Sequence, residues 1–297
     1  MSKAGTKSLS SKITVLTVTL LASCAAIAQL DPSGNWTPRF DEDRSERIAG
    51  PEIGDYLGLP LNEAARLRSD SWDAALVELP ENQCREHGSD YGWRGPSNLR
   101  IWTEVDQATQ KVVAYHTHLS AYGAEQTIWM DGRPHPPEYA RHTWEGFSTG
   151  EWEGDQLVIT TTHLKENWFS LTGIPRSDQA TARVHLMRHG NYLTVAVITY
   201  DPVYLTEPLI RTVDFAYAPQ SQMAPWPCEP VNEVDRPVGV VPHHLPGTNP
   251  YLEEFPARYG VPPEAARGGA ETLYPEYMQK LKTMKRLPRI PRRPSAF

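Results

Sequence analysis

The chain has 297 residues, a formal net charge of −7 and two dozen or more residues each of acid, base and proline. That is enough chain for one large domain with a full core, and the acidic balance argues against a nucleic-acid partner. No Gly-rich phosphate loop, Gly-x-Ser-x-Gly elbow or His-Glu-x-x-His pair occurs, so no nucleotide cofactor is expected and no familiar nucleophile or zinc-protease motif is available.

The first element is an export signal. Lys3, Lys7 and Lys12 precede ITVLTVTLLASCAAIA, too short for a comfortable permanent span, and Ala26-Ile27-Ala28 offers a cleavage site. Residues 1–28 are therefore expected to be removed, leaving a periplasmic or secreted protein. Leu21-Ala22-Ser23-Cys24 supports a second reading, an outer-membrane lipoprotein carrying lipid on Cys24. In either case Cys84 and Cys228 remain, and in an oxidising compartment one disulfide closing a long loop is expected.

Residues 29–97 form an N-terminal extension. It contains Ser33-Gly34-Asn35-Trp36, and an acidic run Asp41-Glu42-Asp43 that lacks the spacing of a calcium loop. Its one helical pattern lies over 61–76, where Leu61, Ala65, Leu67, Trp72 and Leu76 share a side. Residues 98–218 are strand material rich in Val, Ile, Thr and aromatics. Asp131-Gly132 reads as a tight turn, and hairpins are expected at Glu153-Gly154-Asp155 and His189-Gly190-Asn191. With no helix to make crossovers, about eight strands should form an antiparallel up-and-down meander, curled into a barrel or strongly curved sheet that holds a small ligand. Residues 219–297 read as an irregular proline-rich tail. Its end carries Lys280, Lys282, Lys285, Arg286, Arg289, Arg292 and Arg293, a basic run that suits an anionic membrane surface or a solvated tail.

Gly34-Asn35-Trp36 ahead of a barrel resembles the Gly-x-Trp of the first strand of lipocalins and related calycins, with Arg211 as a match to that family's late arginine. The resemblance implies ligand binding in a lipocalin-like barrel and no catalysis. Separately, IWMDGRPHPP, GFSTGEWEGDQLVITTTHLK and DPVYLTEP resemble a family of uncharacterised secreted bacterial proteins over roughly residues 30–218, which implies no reaction.

Chemistry is sought first in AYHTHLS. His116 and His118 lie two apart, so on a strand they share a face, and His163 is the natural third ligand for one divalent zinc, iron or manganese ion. In a simple meander, however, His118 and His163 fall at opposite ends of their strands. His142, His163 and His185, with Asp131 and Arg133 nearby, then form the better-placed cluster at one rim. Both readings leave His116, His118, His142, His163, His185 and Asp131 as candidate catalytic groups. Trp129, Trp144, Arg133 and Tyr115 are the candidate substrate contacts. His135, in a proline-rich loop, and His189, in a turn, read as exposed. The expected function is an exported enzyme acting on a small apolar, aromatic or sugar-like molecule in the barrel. Its chemistry would be histidine-based hydrolysis, elimination or isomerisation, because imidazole titrates near the working pH. The alternative is a non-catalytic lipocalin-type binding protein of the cell envelope, its histidines scattered over a wet face.

Overall fold

The computed structural model describes residues 30–39, 52–85, 88–93, 97–120, 123–170, 172–225, 228–229, 237 and 239–291. The segment expected to be a signal (with Cys24), the acidic run at 41–43, and Arg292 and Arg293 lie outside the described residues. Eleven strands are formed: β1 (Gly34–Pro38), β2 (Leu99–Val105), β3 (Val112–Leu119), β4 (Ala124–Trp129), β5 (Phe147–Glu153), β6 (Gln156–Thr162), β7 (Asn167–Ser170), β8 (Ile174–Arg176), β9 (Thr181–His189), β10 (Tyr192–Tyr200) and β11 (Leu209–Tyr217). Nine of them close into a barrel in the order β1-β11-β10-β9-β6-β5-β4-β3-β2, while β7 and β8 form a separate hairpin.

Strand alternation explains the barrel wall. On β9, Ala182, Val184 and Leu186 are buried; on β10 the buried set is Leu193, Val195 and Val197, and on β11 it includes Val213 and Phe215. With a period of two, these side chains share the inner face and the polar residues between them take the outer one. The inner face is a packed core that runs through Ile101, Tyr115, Ile128 and Ile159 to Trp36, which is 0% exposed. A polar patch interrupts it at Gln126, Ser148 and Thr161, and the patch satisfies itself. Gln126 Nε2 donates to Ser148 Oγ at 2.7 Å and to Thr161 Oγ1 at 3.2 Å, and the two hydroxyls lie 2.8 Å apart.

Closure depends on β1, which pairs with both β11 and β2: Trp36 stands opposite Tyr217 on one side and Leu99 on the other. The Trp36 ring meets Tyr217 edge-on at 5.3 Å, and its Nε1 donates to Pro32 O at 2.9 Å. Gly34 has φ of +144°, and a Cβ there would stand 2.7 Å from the Tyr217 ring, which is the physical reason for glycine two residues before this tryptophan. Arg188 of β9 lies over the Trp36 ring, 5.3 Å from its centroid. Arg211 pairs with Val197 in mid-β11.

Two expectations are corrected. The sheet is not wholly antiparallel: β4 runs parallel to β5, with Ile128 opposite Ser148 and Trp129 opposite Thr149. Direction reverses at every antiparallel neighbour, so a closed ring with an odd number of strands requires at least one parallel pair. The chain supplies it after Asp131-Gly132, which opens a long excursion instead of a hairpin. Pro134, Pro136 and Pro137 lack the N–H groups that immediate re-pairing would need. The hairpins at Gly154 (φ +67°) and Gly190 (φ +61°) form as expected. The helix over 61–76 is also shorter than its pattern. It runs from Glu63 to Asp70, capped by Asn62, whose side chain accepts from Ala65 N, and a 3-10 turn over Ala74–Glu78 follows. Leu67 is exposed while Leu61, Ala65 and Trp72 are buried.

The segment read as an irregular tail folds into short helical turns between Pro250 and Leu281 and packs back on the N-terminal extension. Asn249 Nδ2 donates to Asp70 O (2.8 Å) and Trp72 O (3.2 Å), and His244 N donates to Ser71 O (3.0 Å). The carbonyls left open at the end of the first helix are thus satisfied from the far end of the chain. Cys84 and Cys228 form the expected disulfide, spanning a sequence separation of 144. Arg286 Nη1 donates to Gly260 O at 2.6 Å, so part of the basic end is docked. Among the described residues no helix is long and apolar enough to cross a membrane.

Candidate functional site

His116 and His118 share a face as expected, and it is the outer one: the residues of the opposite face, Tyr115, Thr117 and Leu119, are buried. His116 Nε2 lies 3.0 Å from Glu104 Oε2, its Nδ1 lies 3.2 Å from Thr127 Oγ1, and its ring stacks on Trp102 at 5.4 Å. His118 Nδ1 lies 3.0 Å from Glu125 Oε1. Each imidazole therefore has its own cross-strand partner. The single parallel pairing reverses the expected geometry, so that β3 and β6 run the same way and His118 and His163 lie towards the same end. They are nonetheless separated by β4 and β5, about 14 Å of sheet at three strand spacings. His185 pairs with Val158 and holds Gln156 Oε1 at 3.0 Å, about five residues or 16 Å along the strand from His163.

His142 and His163 do meet, with ring centroids 5.2 Å apart, and the residue that joins them is His135. The hydrogen bonds fix one direction through this group. Pro137 O can only accept, so His163 Nε2 carries the proton donated to it at 3.0 Å, and His163 Nδ1 accepts from Thr162 Oγ1 at 2.7 Å. Thr162 Oγ1 then accepts from His135 Nδ1 at 2.8 Å, and His135 Nε2 accepts from Thr149 Oγ1 at 2.9 Å. His142 Nδ1 donates to Leu164 O at 3.0 Å. The chain of bonds pins the proline-rich loop to β5 and β6, and it explains the left-handed φ of +58° at His163.

His135 is half-buried, not exposed. Burial, followed by the nearby His163, lowers its pKa below the ordinary 6.5. The unfolded chain therefore takes up this proton first as pH falls, and His135 should make stability decline below about pH 6.5 until the folded-state pKa is passed. The urea midpoint measured from pH 7.5 to 5 should fall, and the fall should be shallower in His135→Gln; identical slopes would remove His135 as its cause.

Asp131 holds Arg133 in a two-point grip, Nε to Oδ1 at 2.9 Å and Nη2 to Oδ2 at 2.6 Å, which keeps the carboxyl pKa down at about 2. Arg133 also lies 3.6 Å over the Trp129 ring. Tyr115 points into the barrel and donates to Asp31 Oδ1 at 3.3 Å; burial, then Asp31, raises its pKa. Among the described residues no group of three or more His, Cys, Asp or Glu is arranged to hold a metal ion, so the set His116, His118 and His163 is not assembled.

The principal cleft lies outside the barrel. It has a volume of about 510 Å³ and is walled by the end of the first helix, the turn after it, the β7–β8 hairpin and residues 241–243 of the returning tail. Trp72 and Trp168 pack edge to face at 4.9 Å on one wall, with Leu76 and Leu79 beside them. Gly173 makes room for this arrangement. Its φ is +89°, and a Cβ there would stand 2.5 Å from Trp72 Cγ. Arg85 lies between two rings, 4.1 Å over Trp144 and 4.7 Å over Trp168. Arg68 and Glu166 form an ion pair at 3.1 Å on the rim.

Of the sequence candidates, only Trp144 borders this region, through Arg85. Trp72 was legible as part of a helix face and Trp168 as one of several tryptophans beside strands. Nothing local joined them to Arg85, because the site is assembled from segments far apart in sequence.

No protein-family model matches the chain, and no curated protein or solved structure gives a significant match.

Proposed function

We propose that the chain is a small-molecule binding protein whose ligand occupies the side cleft. The observation that carries this reading is the cleft itself, about 510 Å³ in volume with Trp72 and Trp168 on its wall. The volume suits a small organic ligand, and the wall sets apolar side chains such as Trp168, Leu76, Leu79 and Val241 among polar ones such as Asn82, Arg85, Glu166 and Asn167, which suits a ligand with both an apolar and a polar part. The Trp168 indole, backed edge to face by the buried Trp72, offers contact area to an aromatic, apolar or sugar ring. The barrel interior is occupied by the protein's own side chains from Trp36 to Phe215, which moves the proposed ligand from the barrel to its flank. The histidines are engaged with carboxylates, hydroxyls and carbonyls of their own surface, which favours binding over histidine-based catalysis. Export remains part of the proposal. The disulfide suits an oxidising compartment such as the periplasm or the cell exterior.

The test is a thermal-shift screen of ring-bearing fragments on the disulfide-intact protein, with binding confirmed by tryptophan fluorescence. Stabilising compounds should lose their effect in Trp168→Ala and keep it in Trp102→Ala, a change on the outer face of β2. Hits indifferent to Trp168→Ala would place the ligand elsewhere and sink the reading.

A further inference from the structure

Arg85 is placed unusually for a residue at a cleft. Its Nη2 donates to Glu166 O at 2.7 Å and its Nη1 to Asn82 Oδ1 at 2.9 Å, both neutral acceptors. A guanidinium has five N–H donors, so three remain, and the buried Nε has no partner. Two of the surrounding cations are matched by carboxylates, and a third, Lys165, lies with its Nζ 4.6 Å over the Trp144 ring. Arg68 is paired with Glu166 on the rim, and Arg176 is paired with Asp90 in the interior, Nε to Oδ2 at 3.1 Å. Among the described residues Arg85 makes no ion pair. Burial, and after it the charge of Arg176, lower its pKa, while Glu166 acts in the opposite sense. The cations around the site thus outnumber its paired carboxylates; Glu81, the remaining acid on the wall, is exposed.

Trp144 and Trp168 both hold this guanidinium by ring contact, at 4.1 and 4.7 Å from their centroids. A fork held rigid by stacking loses little freedom when it binds a planar oxyanion, and charge-assisted pairs of this type are about twice as strong as neutral ones. A cationic ligand is disfavoured, since the ring faces that would receive it are already covered by Arg85. Resting on the cleft as the binding site, we infer that its ligands are ring-bearing carboxylates, the ring lying against Trp168 and the carboxylate read by Arg85.

The experiment compares each acid with its amide on the full, disulfide-intact chain by calorimetric titration. The probes are benzoate and benzamide, indole-3-acetate and indole-3-acetamide, and glucuronate and glucuronamide. At least one carboxylate should bind about ten-fold or more tightly than its amide. Arg85→Met should abolish that preference and Arg85→Lys should keep part of it, with far-UV circular dichroism checking both folds. The wild-type comparison stands even if a variant fails to fold. Equal binding of acid and amide, or a preference that survives Arg85→Met, overturns the inference and leaves the cleft reading intact. Absence of binding by every acid and amide removes both.

Discussion

Loss of the Cys84–Cys228 disulfide is expected to lower the stability of this protein by about 3–5 kcal/mol. The bond closes a separation of 144 residues, longer than the roughly 100-residue loops for which chain entropy already predicts close to 5 kcal/mol. It also joins the turn that carries Arg85 to the tail segment that returns over the end of the first helix. Cys84→Ser/Cys228→Ser should therefore shift the urea midpoint downward, and it should loosen the cleft before it loosens the barrel. Hydrogen exchange would show this as faster opening at Trp72 and His244 than at Val195. A shift below about 1 kcal/mol would mean that packing alone holds the tail in place.

The second large effect is expected at the Arg176–Asp90 pair, which is 0% and 3% exposed at its side chains. Arg176 ends β8 and Asp90 lies in the short helix Ser89–Gly92. Asp90→Leu removes the carboxylate that, among the described residues, pairs with a wholly buried guanidinium, with Arg85 close enough to add its own repulsion. Breaking such a pair from one side costs about 3–5 kcal/mol, whereas replacing both partners with apolar residues of similar volume is often neutral. The double variant Arg176→Met/Asp90→Leu should recover most of the stability lost by Asp90→Leu. If single and double variants unfold at the same urea concentration, the pair is not what sets the cost.

The legible parts of the fold share one property: their cause is local. Alternation along β9, β10 and β11 marks an inner face because successive strand residues point opposite ways. Gly154 and Gly190 mark hairpins because each turn needs a positive φ that glycine adopts freely. At Asp131-Gly132 the positive φ of the turn forms too, at +74° on Gly132, but what comes next is decided by the prolines that follow and by the parity of a closed nine-strand ring. His116 and His118 were correctly assigned to one face. Which face that was depended on Tyr115 and Leu119 entering the core, a matter of register with β2 and β4. His135 read as exposed in a proline-rich loop, and only Thr149 and Thr162, on strands that its sequence neighbourhood does not include, bury it.

By itself the sequence determined a mainly β chain, the barrel strands that lie within 98–218, two of its hairpins and the pairing of Cys84 with Cys228. Each of these follows from residue periodicity, turn chemistry or a count. Tertiary structure alone decided that β4 and β5 run parallel, that the tail packs on the first helix, and that Trp72, Arg85 and Trp168 share one cleft. These features join residues 70–85, 166–173 and 241–249, and no local propensity carries information across such separations. They are settled by burial of apolar surface and by the need of every enclosed polar group for a partner, conditions that apply only to the folded chain as a whole.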